Sequence, residues 1–81
     1  MNMDKQTGEM LIKLGLNIQY YRKLQNITQE ELSAKSGVSE AVIGRIEAQN
    51  IYANPNTATV LKIARALDIA PKTLFDFRDD K

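Results

Sequence analysis

A chain with no histidine and no cysteine has few routes to covalent or metal chemistry. Those two zeros exclude a zinc finger, a thiol nucleophile, a histidine general base, a disulfide framework and haem ligation by imidazole. Serines, lysines and carboxylates are present, but none is set beside a plausible base or oxyanion donor, so no enzyme is expected. No metal or cofactor is expected either, because a carboxylate site needs a cluster of acids that the sequence does not contain. Binding, of an anion or of another protein, is the chemistry left to weigh, and the distribution of charge bears on the first. Between Lys13 and Arg65 stand seven bases, Lys13, Arg22, Lys23, Lys35, Arg45, Lys62 and Arg65, against four acids, Glu30, Glu31, Glu40 and Glu47, a net +3. The segment after it sets Asp68, Asp76, Asp79 and Asp80 against Lys72, Arg78 and Lys81. The whole chain is only +1, yet a basic middle beside an acidic end permits a face for a polyanion.

Two stretches concentrate that potential. Thr28-x-x-Glu31 is a capping box, so a helix starts at Gln29. The unpaired N–H groups and positive dipole end of such a start suit a phosphate. Thr28 and Gln29 are therefore candidates for an anion contact, with simple capping the blander role for Thr28. Lys35, Asn50, Tyr52 and Asn54 are candidates of the same kind, although Lys35 also reads as a solvated charge and Tyr52 as a ring packed under its loop. The second stretch runs from about Glu40 to Ala48. With Ile43 and Ile46 turned inward, helical geometry sets Ala41, Gly44, Arg45 and Ala48 outward, with Glu40 and Val42 on the flanks.

The elements that must position these residues are helices. At 81 residues, 43% hydrophobic and 26% charged, the chain reads as one all-α domain over residues 1–81, with a polar N-terminal extension at 1–8 and a C-terminal tail at 78–81. Its apolar runs are too short to span a membrane and MNMDKQ is too polar for a signal peptide, so the cytoplasm is the expected location. A first helix is expected from about Thr7 to Gln25, because Leu11, Leu14, Ile18, Tyr21 and Leu24 draw one stripe that Gly15 slightly weakens. Gln29 to about Lys35 gives the second, stopped by Ser36-Gly37. Ser39 caps the third. A loop over 49–54 leads to Pro55, and Asn56 or Thr57 starts a fourth helix with Val60, Leu61, Ile63, Ala64 and Leu67 facing inward. Pro71 opens a short fifth that carries Leu74, Phe75 and Phe77.

A junction of about three residues between two short helices, with Gly37 at its start, forces a steep crossing of the helix-turn-helix kind. Ser33 must be small where the helices cross, while Leu32, Val38, Ile43 and Ile46 close the wedge. ITQEELSAKSGVSEAVIGRIE, from Ile27 to Glu47, resembles the lambda-repressor-like, Cro/XRE-type DNA-binding domain, with the motif itself at 28–48. The resemblance extends through LGLNIQYYRK before it and TVLKIARALDIAPKTLF after it, covering roughly residues 14 to 77. It departs in having Ser33 where the family often has Ala, and Ala48-Gln49-Asn50 where a glycine usually follows.

That resemblance implies a compact five-helix fold whose third helix enters the major groove of duplex DNA. Arg45 is then the leading candidate for base readout, since its fork matches guanine O6 and N7, with Ala41 set for a thymine methyl and Glu40 for cytosine N4. Arg22, Thr28, Gln29, Lys35, Val42, Asn50, Tyr52 and Asn54 become candidates for the DNA backbone. Resemblance also pairs Arg22 with Glu47 as an ion pair bracing the third helix. Ile69, Leu74, Phe75 and Phe77 offer more apolar surface than a short terminal helix needs. Part of it completes the core, and part is expected to face a second copy, making a homodimer through the fourth and fifth helices. The expected function is thus a sequence-specific regulator, a repressor in its simplest form, on an inverted-repeat (palindromic) operator. Phage, mobile-element and restriction–modification controllers have this size. RNA polymerase and a toxin protein are the further partners to weigh. The alternatives are an antitoxin that binds a toxin and regulates its own operon, and a purely protein-binding helical module.

Overall fold

The computed structural model describes residues 3–50 and 53–77. Five helices follow one another: α1 (Lys5–Leu24), α2 (Gln29–Ser36), α3 (Glu40–Glu47), α4 (Thr57–Ala66) and α5 (Pro71–Leu74), with no strand among the described residues. α1 begins earlier than the apolar stripe suggests. Asp4 caps it by accepting a hydrogen bond from the Thr7 N–H at 3.0 Å. Hydrogen bonding from Thr7 in turn holds the Asp4 carboxyl below its ordinary pKa.

Local chemistry starts the next three helices. Thr28 accepts from the Glu31 N–H while the Glu31 carboxylate accepts from the Thr28 N–H, a complete capping box. Ser39 and Asn56 cap α3 and α4 in the same manner, through the N–H groups of Val42 and Thr59. Gly37 ends α2 at φ 77°, the left-handed conformation that lets the chain turn within three residues.

The core gathers one face of each helix: Leu14 and Ile18 from α1, Leu32 from α2, Ile43 and Ile46 from α3, Val60, Ile63 and Ala64 from α4, and Leu74 from α5. Val38, Ala53 and Leu67 fill the spaces between helices. Fully burying a Leu or Ile contributes about 1.5–3 kcal/mol, so this cluster drives the collapse. Two expected core residues stand outside it. Leu24 is 64% exposed, because the buried line of α1 runs Leu14, Ile18, Arg22 in steps of four and Leu24 falls off that line. Leu61 is 47% exposed, being one residue off the face that Val60, Ile63 and Ala64 share.

Leu74 also requires a correction. It is wholly buried within the monomer and has no surface to offer a second copy. Asn17 of α1 holds its backbone by donating from Nδ2 to the Leu74 carbonyl at 2.8 Å. Ile69 and Phe77 are half-buried and pack on the core, so of the four residues expected at an interface Phe75 alone stands largely free, at 52% exposed.

Candidate functional site

α3 is held on one side and open on the other. Ile43 and Ile46 are buried, and α3 packs on both α1 and α2. Gly15 makes the α1 contact possible, because a Cβ there would collide with the backbone carbonyl of Ile46. On the opposite face Glu40, Ala41 and Arg45 are exposed, and Gly44 and Ala48 are half-buried. The Arg45 guanidinium makes no hydrogen bond or ion pair with any described residue, which leaves its five N–H donors to the outside. Val42, named above as a backbone candidate, is half-buried and packs part of its side chain against the core.

The three helices of the site converge on one carboxylate. Glu47, the last residue of α3, is 4% exposed. Its Oε2 accepts from Arg22 Nε at 2.8 Å, and its Oε1 accepts from Arg22 Nη2 at 2.8 Å and from Gln29 Nε2 at 3.0 Å. Arg22 Nη1 donates to the Ile27 carbonyl at 2.9 Å, which fixes the entry to α2 as well. The bidentate bond to Glu47 raises the Arg22 pKa above its ordinary value, against burial, which works to lower it. Removing one partner from such a buried pair costs about 3–5 kcal/mol, because the other charge is left unmatched. Arg22 is thus committed inside the fold, at 8% exposed, and this inward bonding accounts for its position better than a phosphate contact does.

The remaining candidates are spread along the same side and beyond. Thr28 is exposed and its hydroxyl is engaged with the Glu31 N–H. Gln29 is half-buried and bonded to Glu47, an attachment that no local pattern announces, since the two residues lie on different helices. Asn50 and Asn54 are exposed, on either side of residues 51 and 52, so Tyr52 lies outside the described residues. Lys35 sits at the far end of α2 from Gln29, roughly 9 Å along the helix at 1.5 Å per residue. There it lines a cavity of about 510 Å³ with Lys62 and Arg65 of α4. This basic cluster is a pattern that composition hints at and only the packing of α2 on α4 assembles.

Known proteins resemble this arrangement. The model of the family described as Helix-turn-helix matches residues 18–74. The crystal structure of the restriction-modification controller protein C.AhdI from Aeromonas hydrophila superposes with a TM-score of 0.74 at 34% identity, over 80% of this chain and 96% of that one. A protein of Methanocaldococcus jannaschii described as an uncharacterized HTH-type transcriptional regulator is 36% identical over 64 residues, 79% of this chain and 94% of its own length. The HTH-type transcriptional regulator SlrR of Bacillus subtilis is 30% identical over 63 residues, which span 78% of this chain and 41% of SlrR.

Proposed function

The chain belongs to the helix-turn-helix family as a DNA-binding transcriptional regulator of the Cro/XRE type, and from that premise we propose that it recognises an inverted-repeat operator as a homodimer, with α3 in the major groove. The observation that carries this reading is Arg45, exposed and without a partner among the described residues on a helix whose other face is locked by Ile43, Ile46 and Glu47. A rigid helix that presents one guanidinium outward is the geometry direct readout demands. Ala41 and Gly44 beside it are small enough for close approach to the base edges. A two-fold pair of such modules sets two recognition helices about 34 Å apart on one side of the duplex. Pairing also supplies contact area that one small module lacks.

Occlusion of RNA polymerase at the promoter is the simplest consequence of such binding, and repression is the proposed sign of regulation. C.AhdI is a restriction-modification controller, and an equivalent duty over linked genes is carried to this chain as part of the proposal.

The test is selection from a random duplex library, with the winners titrated at several salt concentrations. A palindromic consensus with a steep salt slope is the expected result, because phosphate contacts release counterions. Arg45→Ala should then lose about 1–3 kcal/mol of discrimination at one base position per half-site. Equal losses on all sequences would remove Arg45 from base readout, and no enriched sequence with a flat salt response would overturn the DNA reading.

A further inference from the structure

Glu47 is already neutralised by the two bonds from Arg22, so the third bond, from Gln29, is not needed for charge balance. What it adds is a tie between the first residue of α2 and the last residue of α3. The other end of the same amide lies along α3, where Gln29 Oε1 is 3.6 Å from the place a Cβ on Gly44 would occupy. Gln29 is therefore bonded to α3 two residues after Arg45, with its amide oxygen beside the open space that a side chain on Gly44 would fill.

The directional side-chain contacts that limit the rotation of α3 gather on Glu47, from Arg22 and from Gln29. Ile43 and Ile46 are held by apolar packing, which is non-directional. Hydrogen bonds are directional and weaken steeply as their angles open. Rotating a helix by roughly 10° moves a side-chain tip about 1 Å around the axis, given a radius with side chains of about 5–6 Å. A shift of that size takes a guanidinium out of bidentate hydrogen-bond range of a base.

We propose that Gln29 is a positioning residue for base recognition: through its bond to Glu47 it sets, together with Arg22, the rotation of α3, and with it the aim of Arg45. The proposal rests on the reading of α3 as the DNA-recognising helix. It departs from the role expected from sequence, in which the Gln29 amide clamps a DNA phosphate. The two roles have different signatures, since a phosphate contact strengthens binding to every sequence alike.

The experiment uses the full chain with Gln29→Met, which keeps length and helix propensity while removing the amide. Its binding is measured on the consensus duplex selected by the wild type, on single-base variants of it and on a scrambled duplex. The expected result is an affinity for the consensus about tenfold weaker, unchanged affinity for the scrambled duplex, and shifted amide resonances for Gly44 to Glu47 in the protein without DNA. In an Arg45→Ala background the same substitution should cost nothing further at the base Arg45 reads, because Gln29 acts through it. Gln29→Asn, whose amide is too short to reach Glu47, should behave as Gln29→Met does.

Equal loss on consensus and scrambled duplexes would establish the phosphate clamp and overturn the proposal. So would full discrimination retained in both variants, or loss of the folded state in both, which would make the role purely structural. A wild-type chain without preference among duplexes fails differently. It would sink the DNA reading, while the resonances of α3 would still report whether Gln29 sets that helix.

Discussion

A Cβ on Gly15 would drive into the backbone carbonyl of Ile46, whereas one on Gly44 would stand 3.6 Å from Gln29 Oε1, an ordinary van der Waals contact. Both glycines lie inside helices, where glycine costs about 1 kcal/mol relative to alanine. The same substitution should therefore have opposite signs at the two places. Gly44→Ala is expected to stabilise the fold by up to about 1 kcal/mol. Gly15→Ala gains the same propensity but forces α1 away from α3, and overpacking of that kind costs about 1–3 kcal/mol or more, so its net effect is destabilising. Urea midpoints of the two variants check this, and a matching sign would remove the close approach of α1 and α3 as the reason for Gly15. In the sequence Gly15 registers only as a flaw in a helical stripe. Its requirement comes from a carbonyl on another helix, and nothing local encodes that. Arg22 and Glu47 differ: their pairing was implied by the resemblance, but the third bond from Gln29 needed the three helix ends to be placed in space.

At the scale of the helices, most of what neighbours a few residues apart encode is legible. Thr28, Ser39 and Asn56 each accept from an N–H three residues on, a relation visible in the chain as written. Asp4 does the same for α1, a start that the apolar stripe does not mark because it begins only at Leu11. Faces were less legible than starts, since Leu24 and Leu61 fit a helical period yet fall off the side that neighbours cover. The turn between α2 and α3 is the element on which the site depends most. Gly37 holds φ 77° with nothing within 4 Å of a Cβ, so a substitution there meets backbone strain and no clash. Gly37→Ala is expected to cost about 1–2 kcal/mol, the usual cost of the left-handed conformation for an L side chain. Gly37→Asn should recover part of it, because asparagine tolerates that region better. Denaturant unfolding of the two variants separates this from a packing defect, which the larger asparagine would worsen.

For the whole molecule the question is which apolar surface is left once the core is complete. Counting hydrophobic residues near the C-terminus pointed to Ile69, Leu74, Phe75 and Phe77, but folding consumes Leu74 entirely and Ile69 and Phe77 in part. Phe75 of that set stays exposed, joined by Leu61 of α4. Leu61 and Phe75 are each about half exposed and line one groove of about 240 Å³ with Leu11, Leu14, Pro55, Thr57 and Val60. A two-fold interface uses the same patch on both copies, so it must contain both a projection and a recess. Phe75 beside this groove supplies the two together, and the proposed homodimer is assigned to that patch. Leu61→Glu and Phe75→Glu should each shift sedimentation towards the monomer, because a carboxylate on each side of the two-fold axis has to be desolvated without a partner. Both should weaken operator binding, since coupling between half-sites is lost. Phe77→Ala supplies the contrast: its ring packs on the core, so it should lower the unfolding midpoint while leaving the mass in solution unchanged. If the glutamate variants remain dimeric and Phe77→Ala dissociates, the interface lies on the far side of α5, and the groove beside Leu61 serves the monomer alone.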